Sequence, residues 1–318
     1  MDRRAFLLTA GSAAFALRRN TLESLGSRAT VLATADLEAR LVAVDLETGR
    51  IVEHIPTVAF PRSIETVGNT AVVAHSELGR VSLVDGRTRT VTHVLEGFGE
   101  PRYTAAHPDG RHAYVTDAKL GELVTLDVRT GRVLAREQVG SLARHVSINR
   151  AGTRVWVALG SKAERIAIVD VSDRARPRLL HHVEPPFLAH DVAWAPDGRH
   201  VWVSSGDSHA LLIYTSQGTV VARLPADAPP QHITFDETTA YVTSGLGGTL
   251  RRQSLMGHRL SLTRVPEGSY NVQYAGRRVV TPALGGGSLC IVDQAGRLIH
   301  RDQIANSSHD ACVVRSTG

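Results

Sequence analysis

A strand-and-turn unit recurs seven times along this chain: LVAVDLETGR, RVSLVDGRTR, LVTLDVRTGR, IAIVDVSDRA, LLIYTSQGTV, LRRQSLMGHR and LCIVDQAGRL. Its equivalent positions are Asp45, Asp85, Asp127, Asp170, Tyr214, Ser254 and Asp293, separated by 39 to 44 residues. A unit of that length cannot bury its own apolar faces and is stable only when stacked on its neighbours. In the third repeat the strands read PRYTAAH, HAYVTDA, ELVTLDV and RVLAREQV, with Pro108-Asp109-Gly110 and Thr130-Gly131 at two of the turns. Four alternating strands per repeat predict an all-β chain: a seven-bladed β-propeller of four-stranded antiparallel blades.

The two ends of the repeat region are complementary. Residues 29 to 57 hold only the second, third and fourth strands of a blade, while SHDACVVR, residues 308 to 315, is a first strand without a blade. Pairing them closes the ring and removes an exposed sheet edge. This closure also suits a chain of 318 residues, which is longer than one ordinary core supports, whereas a ring grows without thickening its core. The predicted propeller therefore spans residues 29 to 318 as one domain.

The net charge of +5 comes from scattered arginines, with Lys119 and Lys162 the only lysines. No basic block is present to track a phosphate backbone, so no nucleic-acid partner is expected. Cys290 and Cys312 are the only cysteines, which excludes a disulfide scaffold and a cysteine-based zinc site. An oxidising compartment permits one bridge between them, and free buried thiols in strands are the alternative.

The N-terminus, MDRRAFLLTAGSAAFAL, places Arg3-Arg4 before an apolar run too short to span a bilayer. Asp2-Arg3-Arg4-Ala5-Phe6-Leu7 resembles the twin-arginine export pattern, with Ala14-Phe15-Ala16 as a cleavage site. Residues 1 to 28 are thus expected to be a signal peptide and short linker, and the mature protein periplasmic or extracellular, without a stable membrane span and monomeric.

The segment AHPDGRHAYVTDAKLGELVTLDVRTGRV resembles the repeat of the YVTN family of seven-bladed propellers, which includes the secreted YncE-like proteins. Tyr114-Val115-Thr116-Asp117 nearly matches the eponymous tetrad, and Tyr241-Val242-Thr243-Ser244 and Trp202-Val203-Ser204-Ser205 are looser copies. The resemblance runs from about residue 29 to the end. It implies the fold and leaves the function open, because propellers host enzymes, binders and scaffolds alike.

In such a ring the first strand of each blade is innermost, so the residues opening it surround the mouth of the central channel. Read from the sequence, these are Pro61-Arg62, Pro101-Arg102, Arg144-His145, His190-Asp191, Gln231-His232, Tyr270-Asn271 and His309-Asp310. His75, Asp117, Lys119, Lys162, Asp207 and His209 follow second strands and are expected at the same mouth. GLGG and ALGGG in blades six and seven leave room there for a ligand.

Three readings fit this ring. His145, His190, Asp191, His232, His309 and Asp310 combine imidazole with carboxylate, the donor set of a divalent transition metal that would activate a bound water. Histidine-dependent streptogramin-lyase-type propellers are similar in outline. Alternatively Arg62, Arg102 and Arg144, with Tyr270, Asn271, Asp117 and Lys119, would clamp an anionic ligand without a cofactor. Or the side chains merely solvate a water-filled channel. Binding of a small molecule, metal or protein partner is the leading expectation, with a metal-dependent lactonase or lyase as the alternative. His107 and His112 beside a turn, His181-His182, and His54, His93, His258 and His300 read as surface residues. The aspartate ending five third strands reads as a turn acceptor.

Overall fold

The computed structural model describes residues 27–317. They form seven four-stranded antiparallel sheets, with two short 3-10 turns, Ser76–Leu78 and Gly245–Gly247, as the helical content of the described residues. The expected signal sequence lies outside them, except that the first described strand, Ser27–Ala35, begins two residues before the expected domain start.

Closure occurs as the sequence implies. Ala311–Thr317 pairs antiparallel with Ser27–Ala35, followed outward by Arg40–Asp45 and Ile51–Pro56, to complete blade one. Blades two to seven begin at Ser63, Pro101, Ala143, Ala189, Ile233 and Gln273.

Burial explains the strand sequences. Third strands such as Arg40–Asp45 are covered on both faces by neighbouring blades and read as continuous apolar runs. Fourth strands such as Ile51–Pro56 sit on the rim and are mostly exposed. The core is correspondingly divided into interblade clusters: Trp156 of blade four packs with Trp194, Leu212 and Tyr214 of blade five, and Leu32 and Leu41 of blade one pack with Ile64 and Val73 of blade two. In all seven blades the ladder between third and fourth strands shifts register, for example between Ala43 and Val44. Such bulges twist the exposed rim strands away from edge pairing, which protects rims carrying Ile51, Val133 and Leu260 on the surface.

The recurrent aspartate is a turn acceptor. Asp45 Oδ1 accepts the Thr48 N–H at 2.8 Å, Asp85 Oδ1 the Thr88 N–H at 2.8 Å, and Asp293 Oδ1 the Arg297 N–H at 2.8 Å. The third residue of the Tyr-Val-Thr motif has its own task. The Thr116 hydroxyl donates to the Arg144 carbonyl of the next blade at 2.6 Å, Ser204 donates to the Gln231 carbonyl at 2.5 Å, and Thr243 to the Tyr270 carbonyl. The motif is therefore a staple between consecutive blades, fixing the residues that open the first strands of blades four, six and seven.

Cys290 and Cys312 are free, buried, and packed in different interblade clusters. His75, expected at the mouth, is instead fully buried inside blade two. Its Nδ1–H donates to the Ala59 carbonyl at 3.0 Å, which leaves Nε2 to accept from the Ser82 hydroxyl at 2.9 Å. Burial pushes this imidazole down to about 4, and the nearby Arg80 charge adds to the effect. The unfolded chain therefore takes up the proton first as pH falls below the ordinary value near 6.5. Stability supplied by neutral His75 is complete above that pH and is lost progressively down to about pH 4. We expect urea titrations of His75→Gln to lose about 3 kcal/mol less than wild type over that interval. Parallel pH profiles for the two proteins would refute the assignment.

Candidate metal centre in the channel

The mouth residues owe their exposure to a break in pairing. In blades three, four and five the first strand stays in register at Pro101, Ala143 and Ala189 and again at Thr104, Val146 and Val192. The two residues between them leave the ladder: Arg102-Tyr103, Arg144-His145 and His190-Asp191. A strand that remained paired would send neighbouring side chains to opposite faces, whereas here both members of each pair reach the channel end.

This register shifts the sequence-derived ring by one residue in blades two and three. Thr104, Val146, Val192 and Ile233 face the same valine of the second strand, at Val115, Val157, Val203 and Val242. Tyr103 is therefore level with His145, Asp191 and His232, and Arg102 with Arg144, His190 and Gln231. Ser63 takes the corresponding place in blade two. Tyr103 escapes the sequence pattern because the Pro-Arg pairs at 61–62 and 101–102 stand one residue ahead of the register the ladders adopt. Aligning the Pro-Asp-Gly turns at 108–110 and 196–198 places Tyr103 opposite Asp191 directly.

Of the six expected metal ligands, the structure brings three together. The donor atoms of His145, His190 and His232 all lie within 4.8 Å of one another. Ring centroids are 4.5 Å apart for His145 and His190, 4.8 Å for His145 and His232, and 5.3 Å for His190 and His232. His190 Nδ1–H donates to the Ser161 carbonyl at 2.8 Å, which fixes the tautomer and leaves Nε2 with a free lone pair. His145 is 1% exposed, and neither of its ring nitrogens has a hydrogen-bond partner. An imidazole desolvated on both nitrogens is costly unless something outside the polypeptide satisfies it. Burial, reinforced by the other imidazoles, holds His145 and His232 well below the ordinary histidine value, and burial pushes His190 down to about 4. All three present neutral rings, the form that ligates metal. Binding at a metal–nitrogen distance of about 2.1 Å requires donors about 3.4 Å apart, so the rings must close slightly on an ion.

The remaining three hold the channel wall. Asp191 accepts the Val192 N–H at 2.8 Å and, across the blade boundary, the Ile233 N–H at 3.0 Å. Asp310 does the same for Ala311 at 2.9 Å and Ile64 at 3.0 Å. Burial pushes Asp191 up to about 7 and Asp310 well above the carboxylate range. Asp191 Oδ2 lies 3.6 Å from His232 Nδ1 and outside the three-histidine group. His309 Nδ1 contacts the Arg62 carbonyl at 3.0 Å, and its own carbonyl accepts from the Asn271 amide at 2.7 Å.

The expected anion-binding residues also separate. Arg62 pairs with Asp36 at 3.0 Å and Arg102 with Glu100, so both are already neutralised. Arg144 has no acidic partner among the described residues, its Nε is unpartnered, and its guanidinium lies 5.9 Å from the Tyr103 ring centre. That tyrosine stands 4.4 Å from His145, ring to ring. Burial raises its phenol, and the neighbouring Arg144 charge pulls the other way. Asp117 clasps a loop, accepting the Gly99 and Glu100 N–H groups at 2.6 and 3.0 Å. Lys119 is exposed and, with Arg62 and Arg102, lines a vestibule of about 690 Å³ at the mouth. Tyr270 is half-buried against Gly245, where any side chain would collide with its ring.

A second histidine group, His107, Asp109 and His112, has its donors close together, and His107 is buried rather than on the surface. Its lone pairs are used internally. His107 Nδ1 accepts the Asp109 N–H at 3.1 Å while Nε2 faces the Gly152 carbonyl at 3.2 Å. The His112–Asp109 contact of 2.7 Å is repeated by His200–Asp197 at 2.6 Å in the matching turn of blade five. This is turn chemistry, written twice.

The fold and site together define a seven-bladed β-propeller whose channel carries a buried three-histidine cluster. No family model matches the sequence, and no curated protein matches it. Among solved structures, the chain is similar to a functionally unknown protein from Desulfotomaculum acetoxidans, with a TM-score of 0.78 and 11% identity over 90% of this chain and 98% of that one. It is also similar to hydrazine synthase of Kuenenia stuttgartiensis, with a TM-score of 0.66 and 17% identity over 79% and 89% of the two chains. For the dihydro-heme d1 dehydrogenase NirN the TM-score is 0.64 and the identity 16%, over 86% and 63%. At these identities the likeness is one of fold.

Proposed function

We propose that this chain is an exported, monomeric metal-binding propeller of the YVTN type, in which His145, His190 and His232 hold a divalent transition metal that takes a small anionic ligand. The observation carrying this reading is His145, buried without a partner on either nitrogen and 4.5 Å and 4.8 Å from two further neutral imidazoles. Three neutral nitrogens suit zinc, copper or iron(II) and leave coordination positions open. Arg144 supplies an unpaired positive charge beside those positions, suited to a carboxylate. The Tyr-Val-Thr staples support the YVTN assignment, and the twin-arginine pattern supports periplasmic or extracellular export. No helix among the described residues is long and apolar enough to cross a membrane.

A metal-dependent lactonase or lyase is the second reading, favoured by Tyr103. Its ring stands 4.4 Å from His145 and 5.6 Å from His232, with the Arg144 guanidinium beside it, where a hydroxyl could donate a proton to a leaving oxygen. Elemental analysis of protein recovered through its own export route tests the metal. We expect one transition-metal ion per chain, lost in His190→Ala plus His232→Ala; metal-free protein that also fails to take up zinc would overturn the reading. With the metal in place, oxalate should raise the melting temperature of wild type but not of Arg144→Ala.

A further inference from the structure

Directly below the metal centre, on the side away from the arginine vestibule, lies a chamber of about 430 Å³ whose wall includes His145, His232 and Tyr103 as well as the residues below them. Its lining differs from that of the mouth, where Arg62, Arg102 and Lys119 stand beside Asp36, Glu77 and Glu100. No arginine or lysine borders it among the described residues, whereas Glu65, Asp191 and Asp310 do. Asp191 and Asp310 spend their oxygens on the backbone bonds described above. Glu65 differs: one oxygen accepts the Thr66 N–H at 2.7 Å, and the other takes no hydrogen bond from the described residues. Burial pushes this carboxyl up to about 7, with no cationic side chain nearby to offset it.

Two further groups bordering the chamber lack partners. Thr104 is 8% exposed and Trp194 is 9% exposed, and neither the Thr104 hydroxyl nor the Trp194 indole N–H makes a hydrogen bond. Phe235 adds a second aromatic wall. Phe235 and Pro196 also line a depression of about 720 Å³ on the opposite face, whose rim carries Asp236 and Glu237 together with Arg315. The shared walls set this depression beside the chamber, on the side away from the mouth.

We propose that this chamber is a second binding site, for a small organic amine that reaches it from the face opposite the arginines. The ammonium group pairs with the free oxygen of Glu65, and Trp194 and Phe235 provide aromatic faces for the cation. The volume falls within the usual range for small-molecule sites. The proposal does not depend on the metal reading.

The test uses the full-length exported protein, with ethanolamine, putrescine and tetramethylammonium as probes and glycolate and glycerol as anionic and neutral controls. Calorimetry should show saturable binding of at least one amine and no binding of the controls, and tryptophan emission should change on binding. Glu65→Gln should weaken the amine by about tenfold or more, and Trp194→Phe should remove the emission change. Arg144→Ala, a residue outside the chamber lining, and prior treatment with a chelator should not weaken amine binding, which shows that the amine is held by the chamber wall and not through the metal. Absence of amine binding up to about 10 mM would overturn the proposal, as would undiminished affinity in a folded Glu65→Gln protein. Equal binding of sodium or potassium in place of the amines would also overturn it, by showing a site for simple ions.

Discussion

A chain ending at Ser307 is expected to lose the native ring, eluting as an unfolded or oligomeric species and showing no cooperative melt. The missing strand pairs with seven residues of blade one, from Ser27 to Ala33. It also buries Ala311, Cys312 and Val314, and Asp310 holds the Ile64 N–H of blade two. Net contributions of about 1 kcal/mol per hydrogen bond and about 1.5–3 kcal/mol per large buried side chain sum to the order of a domain's whole stability, roughly 5–15 kcal/mol. The exposed edge of Ser27–Ala35 would then recruit other chains. A monomeric truncant melting at the wild-type temperature would disprove this account of closure.

The second large effect concerns His145→Leu, for which the expected sign depends on metal. In metal-free protein, leucine fills a similar volume and removes two unsatisfied nitrogens from a site that is 1% exposed. The variant should therefore be more stable than metal-free wild type by about 1–3 kcal/mol. With zinc present the order should invert, because wild type gains stability from binding and the variant, reduced to two ligands, gains little. Wild-type stability that is indifferent to zinc, with a variant that is merely destabilised, would mark His145 as an ordinary core residue.

Period and turn chemistry made the architecture legible before any coordinates. The aspartates at 45, 85, 127, 170 and 293 repeat because a turn needs their side-chain oxygens, and that need is local. The orphan strand near residue 311 was legible by subtraction. The site was legible only in part. His145, His190 and His232 stood out as polar residues at equivalent ring positions, and the structure gathers them. What separates them from His309 is hydrogen bonding across the ring: the His309 ring engages Arg62 and Asn271, contacts spanning 247 and 38 residues. No local pattern encodes such partners. Tyr103 was hidden by a one-residue misalignment, which in a strand exchanges inward and outward side chains. His75 and His107 show the same limit, since each looks like a loop residue by position and is buried by its neighbours.

Ring closure also sets a timetable. The Asp310 N–H donates to Thr34 across 276 residues, and the strand that follows completes the first blade only when the last is made. A nascent chain can assemble blades two to seven as they emerge, while the Ser27–Ala35 edge waits for its partner until Ala311–Thr317 has been made. Such a long-range final contact makes folding slow relative to its local steps, and leaves that edge the segment most in need of protection during synthesis.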